Sequence, residues 1–143
     1  MYVKQISVFI ENRRGRMEQV CGCLSENGIN IISIILADTN EYGLLRMIVS
    51  DTDKAKKVLT EAGFSAIVTD VIAVQFPHTA GTLKVFLDFF GAEELNVEYM
   101  YGLSTSASDA IIIFKTSEND KAVQAIEARG AEHGIKLINE SMI

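Results

Sequence analysis

The sequence predicts an α+β chain made of two copies of one β-α-β-β-α-β unit. Three observations carry this. First, a pattern of apolar and glycine positions recurs 66 residues on. Gly15 maps onto Gly81, Asn30 onto Asn96, and Met17, Val20, Cys21 and Leu24 onto Leu83, Phe86, Leu87 and Phe90. Second, after one inserted residue the match continues, taking Ala55 to Ala122, Leu59 to Ile126 and Gly63 to Gly130. Third, within each copy the apolar period switches between two and 3.6, the periods of strand and helix.

In the first copy, Gln5 to Ile10 alternates, with Ile6, Val8 and Ile10 on one face, as a half-buried strand does. Asn12 to Gly15 reads as a loop. Met17, Val20, Cys21 and Leu24 follow the i, i+3, i+4, i+7 spacing of an amphipathic helix. Gly28 is placed to end it, since glycine takes the left-handed conformation at little cost. Asn30 to Ala37 is a β-branched run, hence a second strand. Asp38 to Glu41 reads as a turn and Leu44 to Val49 as a third strand. Asp51 or Asp53 can cap a helix whose face is Ala55, Val58, Leu59 and Ala62, stopped by Gly63. Ala66 to Asp70 completes the copy as a fourth strand.

The second copy begins at Val71 without a linker. Val71 to Phe76 reads as a strand, Pro77 to Gly81 as a loop and Thr82 to Phe90 as a helix. Asn96 to Tyr101 is a strand, Gly102 to Ser108 a turn and Ala110 to Phe114 a strand. A helix over Asp120 to Arg129 and a strand over Ile135 to Met142 close the chain. Each copy is therefore a split βαβ, or ferredoxin-like, unit. The expected architecture is two such repeats, 1–70 and 71–143, packed side by side. Units of this size sit near the lower bound for independent stability. Helix 82–90 carries a second apolar stripe, Val85 and Phe89, where the first copy has Gln19 and Cys23. Phe89 is expected to be covered by a neighbouring helix of the chain or of a dimer.

Composition narrows the function. The 143 residues are 48% hydrophobic and 22% charged, as in ordinary globular domains. No apolar run reaches the ~18 residues of a membrane helix. Met1 to Gln5 leads directly into a strand pattern, without the features of a leader peptide, so a soluble cytoplasmic chain is expected. Thirteen Lys and Arg against 19 Asp and Glu give a net charge of −6, which argues against a nucleic-acid partner. Cys21 and Cys23 are poorly spaced to bridge each other on a helix and are too few for structural zinc. No metal site, cofactor motif or nucleophile–base pair is present in the sequence, so no enzyme activity is expected.

The strings Arg14-Gly15-Arg16-Met17 and Gly28-Ile29-Asn30-Ile31 resemble the pattern of ACT domains. The second copy carries Ala80-Gly81-Thr82-Leu83 and Leu95-Asn96-Val97. The resemblance spans nearly the whole chain, as two tandem copies with no catalytic domain attached. It implies a regulatory module that binds small molecules, usually amino acids, at interfaces between domains. It also implies that ligand atoms meet the first loop of one domain and the second strand of its neighbour. The residue before the loop glycine is commonly proline in that family and is Arg14 and Ala80 here, which loosens the loop. Gly28 is replaced by Glu94 in the second copy.

Physical chemistry gives the same loops a role. A glycine loop opening a helix leaves backbone N–H groups unpaired at the positive end of the helix dipole, which suits a carboxylate. An Asn at the start of a strand offers a donor and an acceptor, and can receive an ammonium. The candidate binding residues are Asn12, Arg13, Arg14, Gly15, Met17, Asn30 and Ile31 in the first copy. In the second they are Pro77, His78, Thr79, Ala80, Gly81, Leu83, Asn96 and Val97.

Plainer readings stand beside these. Gly15 and Gly81 also suit tight turns, and Asn30 and Asn96 local Asx-type bonds. Arg13, Arg14 and Arg16 also read as a solvated loop, and His78 and His133 as surface residues. Cys21 falls on the core stripe, as a small hydrophobe does. Glu93-Glu94 and Asp51-Asp53 flank helix ends, where capping and the macrodipole account for them. The expected function is a non-catalytic, amino-acid-binding regulatory protein without a cofactor. Its expected partners are a free amino acid and a second copy in a homodimer. The alternative is a regulatory subunit docking onto a separate amino-acid-biosynthetic enzyme, such as acetolactate synthase.

Overall fold

A computed structural model describes residues 2–38, 41–103 and 109–143. The expected turns at 38–41 and 102–108 fall largely outside the described residues. Contacts group the chain into two units: Lys4–Asp70, and Val71–Ile143 together with Tyr2 and Val3.

In the first unit the strands are β1 (Val3–Glu11), β2 (Ile31–Asp38), β3 (Tyr42–Val49) and the first half of β4 (Ser65–Pro77). The helices are α1 (Arg16–Glu26) and α2 (Thr52–Glu61). β3 pairs antiparallel with both β1 and β2, and the strand order is β2-β3-β1-β4. The register sets Val8 opposite Leu45 and Ile6 opposite Met47, so the alternating apolar residues share one face. That face and the helical residues Val20, Leu24, Ala55 and Leu59 form a closed core. Asp51, not Asp53, caps α2: its Oδ1 accepts the Lys54 N–H at 3.1 Å.

In the second unit β4 continues through Val71–Pro77, followed by α3 (Thr82–Ala92), β5 (Val97–Leu103), β6 (Asp109–Thr116), α4 (Asn119–Arg129) and β7 (Lys136–Ile138). The order is β7-β4-β6-β5, the same topology as in the first unit. This core is aromatic. Phe86 meets Phe90 and Phe114 edge-on at 4.8 and 5.1 Å between ring centres, and stacks on Phe76 at 5.9 Å. Tyr2 is held here by a hydrogen bond from its hydroxyl to Asp120 Oδ1.

Several expectations are refined. Phe89 is buried, as the sequence requires, and its cover comes from the neighbouring helix α4 and the 3₁₀ turn that follows it. The Arg129 guanidinium lies 5.8 Å from the Phe89 ring centre, and the His133 ring lies 5.7 Å away. Pro77 ends β4 and does not open a loop. The expected last strand, 135–142, shrinks to Lys136–Ile138 and is followed by a 3₁₀ turn, Glu140–Met142. Asn139 Oδ1 accepts from the Ser141 N–H at 3.1 Å and from Ser141 Oγ at 2.5 Å. This local bonding competes with the sheet ladder and ends the strand. Gly130 is not a left-handed stop: its φ is −63°, and the positive φ falls at Gly134. A Cβ on Gly130 would lie 2.5 Å from the Ile135 carbonyl oxygen, so close approach is what requires glycine there. Glu93 and Glu94 follow the C-terminus of α3, the end where the macrodipole opposes an acid. Glu93 is instead held by the Arg129 guanidinium at 3.5 Å.

Candidate functional site

The 66-residue repeat is reproduced at the level of single hydrogen bonds. Gly15 precedes α1 with φ 86° and ψ −9°, and Gly81 precedes α3 with φ 89° and ψ −13°. The Arg13 N–H donates to Glu11 O at 2.8 Å, and the Thr79 N–H to Pro77 O at 2.9 Å. The Arg16 and Thr82 N–H groups reach Arg13 O and Thr79 O, both at 3.4 Å. Neither helix start carries a side-chain cap. The first-turn N–H groups of Met17 and Glu18, and of Leu83 and Lys84, lie beyond the reach of intrahelical acceptors. Each loop is therefore a small cradle of donors at a positive dipole end.

The side chains around the two cradles differ. Arg13 is tied to Glu11 at 2.7 Å, while Arg14 is exposed. Arg16 lies over the Phe64 ring at 4.6 Å and donates to Gln19 Oε1 at 2.6 Å. Asn12 is fixed through its backbone N–H, which donates to Glu41 O at 2.9 Å. In the second repeat, Thr79 and Thr82 hydroxyls meet at 2.8 Å, and His78 and Ala80 are exposed. Met17 and Leu83, at matching positions, are both exposed apolar residues.

The strand starts are duplicated in the same way. The Asn30 N–H donates to Ser50 Oγ at 2.9 Å, and Asn30 O accepts the Ser50 N–H at 2.9 Å. The Asn96 N–H donates to Ser117 Oγ at 3.2 Å, and Asn96 O accepts the Ser117 N–H at 3.0 Å. Both Asn residues are exposed, and neither carboxamide makes a hydrogen bond among the described residues, so the local Asx bonds do not form. A register shift follows at once in each repeat, between Ile31 and Ser33 and between Val97 and Tyr99. Such bulges turn side chains away from the ladder's regular alternation. Ile31 and Val97 are half-buried there.

Sequence reasoning missed Ser50 and Ser117. A signal was present: the 67-residue shift of the second half of the repeat superposes them as identical residues.

Within one repeat the two sets of candidates are kept apart. Gly15 opens α1 and Asn30 follows its far end, so the 11-residue helix separates them by about 16 Å. Cys21, Ser25, Gly28, Ile29, Asn30 and Ile31 line an open groove of about 420 Å³. The loop residues Asn12 to Met17 are not part of it. Burial and the negative charges of Glu26 and Glu61 push the Cys23 thiol above its usual pKa, so it is not an activated nucleophile. Among the described residues, no group of three His, Cys, Asp or Glu side chains is arranged to hold a metal. No described helix is long and apolar enough to cross a membrane.

The model of the ACT domain pair family matches residues 1–138. The chain belongs to the ACT domain pair family. It is similar to the crystal structure of protein BT0572 from Bacteroides thetaiotaomicron, at 33% identity and a TM-score of 0.86, covering 96% of this chain and 93% of that one. The ligand-free regulatory subunit of aspartate kinase from Thermus thermophilus shares the fold, at 20% identity and a TM-score of 0.60 over 87% and 91% of the two chains. The corresponding subunit from Thermus flavus does so at 22% identity and 0.58, over 87% and 90%. A comparison with curated proteins returned no match. The ACT assignment accounts for the doubled architecture and gives the chain a regulatory fold.

Proposed function

We propose that this ACT domain pair is a regulatory protein that binds a free amino acid and has no catalysis of its own. One observation carries the reading: both repeats hold a glycine-opened helix start without a side-chain cap, and in both the strand that follows that helix is preceded by an Asn with an exposed carboxamide that makes no hydrogen bond among the described residues. The first feature suits a carboxylate and the second an ammonium. The length of α1 sets them too far apart for one small zwitterion to reach both within a repeat. The loop of one domain and the second strand of a neighbouring domain, in a homodimer, would then hold the ligand between them. Asn12, Arg13, Arg14, Gly15, Met17, Asn30 and Ile31, with Pro77, His78, Thr79, Ala80, Gly81, Leu83, Asn96 and Val97, are the residues assigned to this role. A cytoplasmic location fits a sensor of free amino acids.

Titration calorimetry of the full chain with each of the twenty amino acids tests this. Saturable binding of at least one is expected, and heat of dilution alone with all twenty would refute it.

A second reading, a regulatory subunit docked on a separate amino-acid-biosynthetic enzyme such as acetolactate synthase, is favoured by Leu83 and Leu87. They stand one turn apart on α3 and are both exposed. Co-purification of a biosynthetic enzyme whose activity changes with the chain present would support it.

A further inference from the structure

We infer that the groove between α1 and the start of β2 receives the ligand's side chain, and that its Cys21 wall selects an uncharged, mainly apolar amino acid. This rests on the amino-acid reading above. It adds the ligand class and two residues, Cys21 and Ser25, that the reading leaves out.

The groove lies wholly within the first repeat. Cys21 and Ser25 stand one turn apart on α1 and share a helix face. The chain then bends through Gly28 and Ile29 into Asn30 and Ile31, and these six residues line about 420 Å³ of open volume. Small-molecule pockets span roughly 300–1,000 Å³. The sequence pattern reads Cys21 as core, yet it is Cys23 that packs against the buried cluster of this unit. Cys21 is half-buried and lines the groove instead. Gly28 has φ 69°, and a Cβ there would meet nothing within 4 Å, so the bend stays open.

The lining combines polar groups without partners and apolar surface. The Ser25 hydroxyl and the Asn30 carboxamide are exposed and make no hydrogen bond among the described residues. Ile29 is buried and Ile31 half-buried beside them. None of the six side chains carries a carboxylate, ammonium or guanidinium group. An amino acid whose ammonium meets the Asn30 carboxamide would lay its side chain along Cys21 and Ile31. An apolar side chain gains there by burial against carbon and a polarizable sulfur. A charged one would give up hydration and meet no opposite charge. The second repeat has Leu87, Gly91 and Glu94 at the positions of Cys21, Ser25 and Gly28. A bulkier wall and a carboxylate replace the neutral lining, so this selection belongs to the first repeat.

Two measurements on the full-length chain test the inference. Calorimetry with each of the twenty amino acids should find that those which bind are uncharged and mainly apolar. Cys21→Leu, which places a larger side chain on the groove wall, should weaken that binding about tenfold. Iodoacetamide labelling of wild type, with Cys21 and Cys23 scored separately by fragment-ion mass spectrometry, needs no variant. With the binding amino acid at about ten times Kd, Cys21 should react about tenfold more slowly. Cys23, packed on the core, should slow far less. A Cys21 rate that falls no more than that of Cys23, wild-type affinity in Cys21→Leu, or a preference for Asp, Glu, Lys or Arg would overturn the groove assignment and leave amino-acid binding intact. Absence of binding by wild type would overturn both.

Discussion

Asn30 and Ser50 hold each other by two hydrogen bonds, Asn30 N–H to Ser50 Oγ and Ser50 N–H to Asn30 O, each 2.9 Å. Asn96 and Ser117 do the same in the second repeat. The clasp fixes the start of the second strand through the backbone and Ser Oγ, and leaves the Asn carboxamide exposed. Ser50→Ala removes one bond at an exposed site, where water replaces part of it. A loss of about 0.5–1 kcal/mol is expected, read from urea denaturation midpoints, with Ser117→Ala giving a similar value.

Gly15 and Gly81 answer to backbone conformation and not to space, since a Cβ at either meets nothing within 4 Å. Gly15→Ala and Gly81→Ala should each cost about 1–2 kcal/mol. Gly15→Asn should cost less, because Asn tolerates the left-handed region. Equal stability of Gly15→Ala and wild type in thermal melts would contradict the loop geometry.

Two other glycines separate space from conformation. Gly22 lies inside α1, with nothing within 4 Å of an added Cβ. Gly22→Ala should stabilise by about 0.5–1 kcal/mol. Gly130 has a helical φ, yet a Cβ there would press on Ile135 O at 2.5 Å. Gly130→Ala should destabilise by about 1–3 kcal/mol. The opposite signs are read in one pair of denaturation curves.

Phe86 is fully buried at the centre of the aromatic cluster. Phe86→Ala should cost about 3–5 kcal/mol and lower cooperativity in the second unit. Phe86→Leu should recover much of that loss.

The Cys23 thiol donates to Val58 O at 3.5 Å, and burial lifts its pKa above the usual 9.0. The folded state therefore holds this proton more tightly than the unfolded chain. Its contribution to stability is complete below pH 9.0 and is lost as pH rises past that value. Alkylation of Cys23 by iodoacetamide at pH 8.5 should be slower in the folded chain than in urea.

Much of the fold was legible because the signals were periodic. Val20 and Leu24, with Phe86 and Phe90 66 residues on, write the same buried helix face twice, while Met17, Leu83 and Leu87 of the same pattern are exposed and Cys21 is half-buried; Asn30 and Asn96 mark both strand starts. What was not legible depended on contacts distant in sequence or on local competition. The constraint at Gly130 comes from the carbonyl of Ile135, which composition does not reveal. The short β7 follows from Asn139 bonding to Ser141 and not to the sheet. The cover over Phe89 comes from Arg129 and His133 of its own unit, whereas an apolar stripe alone says only that some cover is needed. The candidate site was read as loops and Asn residues, but the serines that clasp those Asn residues went unread.

The most direct test of amino-acid binding by these loops and strand starts is an amide ¹H–¹⁵N spectrum recorded while each amino acid is added. The account predicts that one amino acid shifts the Gly15, Met17 and Asn30 amides, or the Gly81, Leu83 and Asn96 amides, together and saturably. Shifts confined to other residues, or none with any of the twenty, would contradict it.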